Sequence, residues 1–312
     1  MCRHPLAARP VLTLYALFVL VLAAATPAFS SSGDLCVTSD ASNVVRTYIG
    51  ATGAFAGNLL NSNAAVGELG IHFGATNNRV LIGHFGGGVE EFDATTGGYI
   101  KTYNAGGGTQ WAGVYSPTGN KVYIGDWSTN DVRAYNATTG AFLGVFCSVS
   151  GPSDMRIGPN GNLYICSYMN GFVMEVNATT GGFVSIWSQL FGDRTNDIAF
   201  NPVNGEILVS CMGSNLVHRY DAGHNLLGSF FGSNPWGRPH GIEISPWNGN
   251  VLVADGVAGQ VYEFDKNTYA EVTPTFLSPG PGDKIVDIAF KLAGEPTPTP
   301  TTSWGRLKRL YR

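Results

Sequence analysis

The sequence predicts an all-β fold, a six-bladed β-propeller of four-stranded blades whose ring is closed by the C-terminal strand. Two observations support this prediction. A segment of about 43 residues recurs six times, marked by valines at 45, 89, 132, 173, 217 and 261 in Val-x-x-aromatic-Asx elements or looser copies of them. Each copy also reads as four short strands separated by turn signals. Four-stranded sheets that repeat at this period are typical of propeller blades.

The strands of one unit follow a fixed order. An alternating first strand, such as Asp197–Phe200, leads into a turn rich in Pro, Asn and Gly, residues that suit the backbone angles of tight turns. The second strand is apolar at nearly every position, as in Ile207–Val209, which indicates burial on both faces. The third strand carries the Val-x-x-aromatic element, and an Asx-Ala-Thr-Thr-Gly type of turn leads to the fourth.

The two ends of the repeat predict how the ring closes. The first unit begins at residues 33–37, which already read as a second strand, whereas Ile285–Phe290 reads as a first strand with no successor. The last strand should therefore complete the first blade and remove the open edges. A linear solenoid, the alternative, would leave this strand without a partner.

The chain ends lie outside the repeat. Arg3 and Arg9 precede an apolar run from Val11 to Ala25, and small residues follow, so residues 1–30 are predicted to be a signal peptide. The run is short for a membrane span, and no transmembrane helix is expected. The domain prediction is therefore a propeller over residues 31–292, a Pro/Thr linker over 293–302 and a basic tail over 303–312, in a secreted or cell-surface protein.

Two interpretations of the tail stay open. Trp304, Leu307 and Leu310 recur at helical spacing among four basic residues. Such a segment could dock to export machinery or to an anionic cell surface. It could equally be a solvated cluster of charges.

Charge and cysteine usage restrict the function further. The chain carries a net charge of −4 although its last residues are basic, so the body is acidic and nucleic acid is not an expected partner. Cys36, Cys147, Cys166 and Cys211 show neither metal-site nor disulfide spacing, and we expect free thiols, most of them in the core.

Two segments carry a resemblance to a known family. Residues 239–255, Pro-His-Gly-Ile-Glu-Ile-Ser-Pro-Trp-Asn-Gly-Asn-Val-Leu-Val-Ala-Asp, resemble the P-x-G-I-x-x-x-P-x-G-x-x-Y-V-A-D pattern of NHL-repeat and gluconolactonase-like (SMP-30-like) six-bladed propellers. Residues 194–205 are a second match, and the resemblance covers about residues 34–291. It implies the architecture more than an activity, because this architecture hosts many functions.

The strand order predicts where a ligand would bind. First strands begin, and second strands end, on the same rim of the ring, around an axial funnel of the kind that usually holds ligands. The aromatic residues there could stack on a ligand or pack between blades, and the aspartates could bind a ligand or bond backbone N–H groups of neighbouring blades. The candidate binding residues are Trp111, Trp127, Asp154, Tyr168, Asn196, Asp197, His240, Asp255 and Asp287.

The resemblance also raises the question of an enzyme. Gluconolactonase-like propellers hold a divalent cation with Glu, Asn and Asp at first-strand starts. Here those positions are Leu69, Ala112, Ser153, Asn196, His240 and Val286, so only Asn196 keeps an expected type. No catalytic residue is therefore assigned.

Three functions follow from these observations. The preferred one is a non-catalytic module that binds a protein, peptide or glycan through one rim. The alternative is a metal-dependent hydrolase or lyase, lactonase-like, with a divalent cation in the funnel near Asn196, His240 and an aspartate. A cell-surface structural module is the third.

Overall fold

A computed structural model describes residues 33–62, 67–74, 77–104, 109–187, 192–233, 235–278 and 284–291. These residues form twenty-four strands and no helix, so no helix in this part of the chain could cross a membrane. The predicted signal peptide, linker and tail lie outside the described residues.

The strands are short and follow one another through tight turns. In chain order they are β1 Asp34–Ser39, β2 Val44–Tyr48, β3 Phe55–Asn61, β4 Glu68–Phe73, β5 Arg79–His84, β6 Gly88–Asp93, β7 Tyr99–Tyr103, β8 Gln110–Tyr115, β9 Lys121–Asp126, β10 Asp131–Asn136, β11 Phe142–Ser148, β12 Pro152–Ile157, β13 Leu163–Ser167, β14 Phe172–Val176, β15 Phe183–Trp187, β16 Thr195–Phe200, β17 Ile207–Cys211, β18 Leu216–Tyr220, β19 Leu226–Phe230, β20 Pro239–Ile244, β21 Val251–Asp255, β22 Gln260–Phe264, β23 Glu271–Leu277 and β24 Ile285–Lys291.

All strand pairs are antiparallel, and the sheets are small. Four sheets have four strands each: β24-β1-β2-β3, β12–β15, β16–β19 and β20–β23. The two remaining meanders, β4–β7 and β8–β11, are joined into one eight-stranded sheet by the pairing of His84 with Gln110. The prediction of six separate four-stranded sheets is therefore corrected here.

A close backbone approach explains this joining. Gly83 of β5 lies against the carbonyl group of Trp111 in β8, and any β-carbon at position 83 would collide with that carbonyl. Glycine alone removes this obstacle, so the end of β5 can reach the start of β8. The repeat pattern contains no signal for such a contact.

The sheets are arranged as in a propeller. The strand predicted from Ile285–Phe290 pairs with β1, in the register Leu35↔Phe290 and Val37↔Ile288, as the sequence predicted. The first strands of the meanders contact one another in a closed succession, β4, β8, β12, β16, β20, β24 and back to β4. They therefore surround an axis.

Burial follows the strand order within each sheet. The second strands are buried along nearly all of their length, as the apolar run Ile207–Val209 in β17 predicted. The outer strands are exposed, and β11 presents Phe142, Leu143 and Val145 to solvent. The core thus lies between neighbouring sheets, and the described cysteines within it are free thiols.

Candidate functional site

A cavity of about 390 Å³ opens on the rim where first strands begin. Its walls come from the starts of β4, β8, β20 and β24 and from the segments that follow second strands, so it lies at the axis. The lining includes apolar Leu69, Phe85, Trp111, Tyr168, Met212 and Val286 and polar Asp40, Arg238, His240 and Lys284. Three of the predicted site residues, Trp111, Tyr168 and His240, therefore line one cavity.

Aromatic side chains form one wall. The ring of Tyr168 lies 6.0 Å from that of Trp111 and 6.2 Å from that of Trp127, in a tilted and an edge-on arrangement respectively. Trp127 is not among the lining residues, so it supports Tyr168 from behind. At the mouth, Phe85 is 67% exposed, so its ring is open to solvent on the lining of the cavity.

The mouth of the cavity is rich in cations. Arg238 and Lys284 are exposed on its lining, and Asp40 is the only carboxylate among the described lining residues. The guanidinium of Arg194 lies 5.5 Å from the centre of the Tyr168 ring, within the range of a cation–π contact. Two cations and one carboxylate give the mouth a small net positive charge on a chain whose net charge is −4.

His240 is a buried, neutral imidazole in this wall. Burial lowers its pKa to about 4, and the charge of Arg238 acts in the same direction. Its backbone carbonyl accepts a hydrogen bond from the Ser210 hydroxyl, and its ring packs against Gly256, where a β-carbon would lie 2.7 Å from Cδ2. Its Nδ1 is buried and has no partner among the described residues.

A separate group of charged side chains comes from the same first strands, farther along each one. Arg156 of β12 is 17% exposed; its Nη1 donates to Glu243 at 2.7 Å and its Nη2 to Asp197 at 3.2 Å. These two bonds link three first strands, β12, β16 and β20. Asp154, His72 and Asp287 complete this group, which we term the axial charge cluster.

Two aspartates of the axial charge cluster bond to neighbouring strands. Asp197 accepts the N–H of Ile242 at 2.7 Å, and Asp287 accepts the N–H of Ile71 at 2.8 Å. The structure therefore gives these two predicted site residues the backbone role that the sequence left open. Each bond ties the first strand of one meander to that of the next.

Asp154 has a different environment. It accepts the N–H of Met155, and its Oδ1 lies 2.7 Å from Nε2 of His72. His72, Asp154 and Asp287 each offer a ligand atom within 4.8 Å of the others, whereas His240 is not in this group. Asn196, which directly precedes Asp197 in β16, is buried, and its Oδ1 has no partner among the described residues.

Burial dominates the protonation of the axial charge cluster. It raises the pKa values of Asp154, Glu243 and Asp287. It also raises the pKa of Asp197, to about 7, although Arg156 opposes each of these shifts. Burial lowers the pKa of His72 to about 4. One guanidinium faces four carboxyl groups, so protons must balance part of the charge near neutral pH.

The remaining predicted site residue, Asp255, organises a turn. Its Oδ1 accepts the N–H groups of Val257 and Ala258, and its Oδ2 accepts that of Gly237. All three bonds are within 2.8 Å, so both carboxylate oxygens are engaged by backbone. This side chain therefore shapes the rim.

Sequence reasoning missed three members of the axial charge cluster. His72, Arg156 and Glu243 occupy the same position of their first strands. The available signal was a charged or polar residue in a strand that should be buried, which is costly unless it is paired. No sequence pattern identified Arg238 and Lys284 as residues of the cavity mouth.

Comparison with known proteins supports the fold and gives no family. No family model matches the chain, and no curated protein matches it. Among solved structures 1472 chains match, so the architecture is a common one and indicates no activity by itself. One is a chain from the crystal structure of a nidogen/laminin complex, with 14% identity and a TM-score of 0.68 over 83% of this chain and 99% of that chain. The fold is therefore β-propeller-like, whereas the NHL and SMP-30 resemblance gains no support.

Proposed function

We propose that this protein is a secreted, non-catalytic six-bladed β-propeller that binds a partner protein through the rim that carries the axial cavity. The closed succession of six first strands supports the number of blades, although two meanders share one sheet. Secretion rests on the signal-peptide pattern of residues 1–30.

The cavity carries the proposal. A volume of about 390 Å³ suits a few side chains of a partner and not a whole domain. Its aromatic wall of Trp111 and Tyr168 can stack on an apolar or aromatic side chain, and Arg238 and Lys284 can pair with a carboxylate. The recognised element is accordingly a loop or chain end with an aromatic and an acidic residue. A glycan with an acidic sugar is the competing ligand.

A metal-dependent hydrolase or lyase is the second candidate. His72, Asp154 and Asp287 offer ligand atoms within 4.8 Å of one another, which favours it. Against it, Asp287 already accepts two backbone N–H groups, and Arg156 supplies a positive charge to the same cluster. We therefore prefer the binding module.

Alanine substitution of Phe85 should weaken partner binding. Peptides selected from a random library against the immobilised protein are expected to share an aromatic and an acidic residue. Phe85→Ala should lower their affinity by roughly tenfold or more, because a large side chain at the mouth is lost. Titration calorimetry with a selected peptide measures the change.

The matched control is Phe183→Ala on the outer strand β15. Phe183 is 65% exposed, close to the 67% of Phe85, so the two changes remove the same exposed side chain at different places. Equal affinities for the two variants would place the binding surface elsewhere. Selection of acidic glycans in place of peptides, from an array, would refute a protein ligand.

A further inference from the structure

A second buried cluster lies in the sheet β16–β19. Asp193 precedes β16, Cys211 ends β17, and His218 is the third residue of β18. Each side chain is less than a tenth exposed, and Cys211 is fully enclosed. None of the three belongs to the axial charge cluster.

The three side chains converge. One nitrogen, one sulfur and one oxygen, each a potential ligand atom, lie within 4.8 Å of one another. His218 Nε2 is 2.7 Å from Oδ2 of Asp193, whose Oδ1 accepts the N–H of Ser214. The other ring nitrogen, His218 Nδ1, is buried without a hydrogen-bond partner among the described residues.

The meander β8–β11 shows what the equivalent positions contain elsewhere in the ring. The register of β9 with β10 and of β17 with β18 places Cys211 where Asp126 stands, and His218 where Arg133 stands. Asp126 and Arg133 form an ion pair of 3.3 Å, and Asp126 also accepts N–H groups of the following turn. In the turn that follows β17, Asp193 accepts the backbone N–H group of Ser214 and so does what Asp126 does after β9. Neither the thiol nor the imidazole is therefore needed for the turn.

We propose that Asp193, Cys211 and His218 form a binding site for a divalent transition-metal ion of the Zn²⁺ class. Thiolate sulfur, imidazole nitrogen and carboxylate oxygen are the ligands that zinc prefers in proteins. Three protein ligands leave the fourth tetrahedral position to a water molecule. A nucleophilic role does not suit Cys211, because no substrate can reach a fully enclosed sulfur.

The metal would stabilise the wall of the axial cavity. Asp193 is followed by Arg194, which lies over the ring of Tyr168, and Cys211 is followed by Met212, which lines the cavity. An ion held between Asp193 and Cys211 therefore joins two segments of that wall. Metal binding can be measured without any partner ligand, so it stands or falls independently of the proposed function.

Cobalt is a suitable probe, because it substitutes for zinc and its thiolate complexes absorb in the near ultraviolet. The full chain, stripped with a chelator and kept reduced, should bind one equivalent of Co²⁺ with a thiolate-to-cobalt charge-transfer band that Zn²⁺ abolishes. Cys211→Ser should lose this band. Cys147→Ser, which changes a half-buried thiol of β11 outside the cluster, should keep it.

A second variant and a folding control make the outcome decisive. His218→Gln should weaken Co²⁺ binding by about tenfold or more, since it removes one of the three ligands. Circular dichroism establishes that each variant is folded. The proposal is overturned by a folded wild-type protein that gives no charge-transfer band, and equally by a band that persists in Cys211→Ser.

Discussion

Replacing Arg156 by methionine is expected to lower the free energy of unfolding by about 3–5 kcal/mol at pH 8. The guanidinium pairs with Glu243 at 2.7 Å and with Asp197 at 3.2 Å, and methionine has a similar length without the charge. Its loss leaves buried carboxylates without a compensating cation. Urea unfolding followed by fluorescence measures the change.

Arg219→Met is the matched control. Arg219 also pairs with a carboxylate, that of Glu206 at 2.8 Å, but its side chain is 24% exposed and the pair lies nearer to solvent. We expect a loss of no more than about 2 kcal/mol, including its contact with the Tyr269 ring. If Arg156→Met is as stable as Arg219→Met, Arg156 does not hold the axial charge cluster together.

The second large effect is a fall in stability between pH 7 and pH 8. The carboxyl groups of the axial charge cluster have pKa values raised by burial, that of Asp197 to about 7, so the folded chain holds more protons than the unfolded chain. Stability must then decrease as pH rises through this window, by roughly 1.4 kcal/mol per pH unit for each carboxyl that is ionising. Urea unfolding at four pH values in this range measures the slope.

Histidines oppose this trend only at lower pH. The pKa values of His72 and His240 are lowered to about 4 by burial, so these two side chains bind more protons in the unfolded chain than in the folded chain at about pH 5 to 7. An unfolded imidazole holds only about a quarter of a proton at pH 7 and almost none at pH 8, so its opposing effect fades over that range. Asp197→Asn, which removes one titrating carboxyl, should therefore show a shallower fall. A wild-type stability that is constant or rising from pH 7 to pH 8 would contradict the assignment.

Most of the fold could be predicted, because strand period and turn chemistry are local properties of the sequence. The apolar run of β17, the turns and the strand at Ile285 without a successor each specify burial or pairing without reference to distant residues. The joining of β5 to β8 could not be predicted. It depends on the backbone of Gly83 meeting the carbonyl of Trp111, a contact between strands twenty-eight residues apart in which no side-chain pattern takes part.

The place of the axial cavity could be predicted, whereas the members of the axial charge cluster could be predicted only in part. Strand order alone puts Trp111, Tyr168 and His240 on one rim, and they line one cavity. By contrast, the ion pair of Arg156 with Glu243 could not be predicted from the sequence, because these residues lie on different first strands and meet only when the ring forms. Pairing across the axis is a property of the closed ring.

The central claim is that the first strands surround an axis because β24 closes on β1, and an engineered disulfide tests it most directly. Cys36 of β1 lies directly opposite Ala289 of β24, and both belong to one core cluster. In Ala289→Cys the two cysteines should therefore oxidise to an intramolecular disulfide, since directly paired strand residues are close enough for one. Mass spectrometry of the digested monomer should identify a peptide linking residues 36 and 289, whereas Ile288→Cys, opposite Val37, should not link to Cys36. A monomer without the 36–289 link, or a link formed only between two chains, would contradict the closed ring.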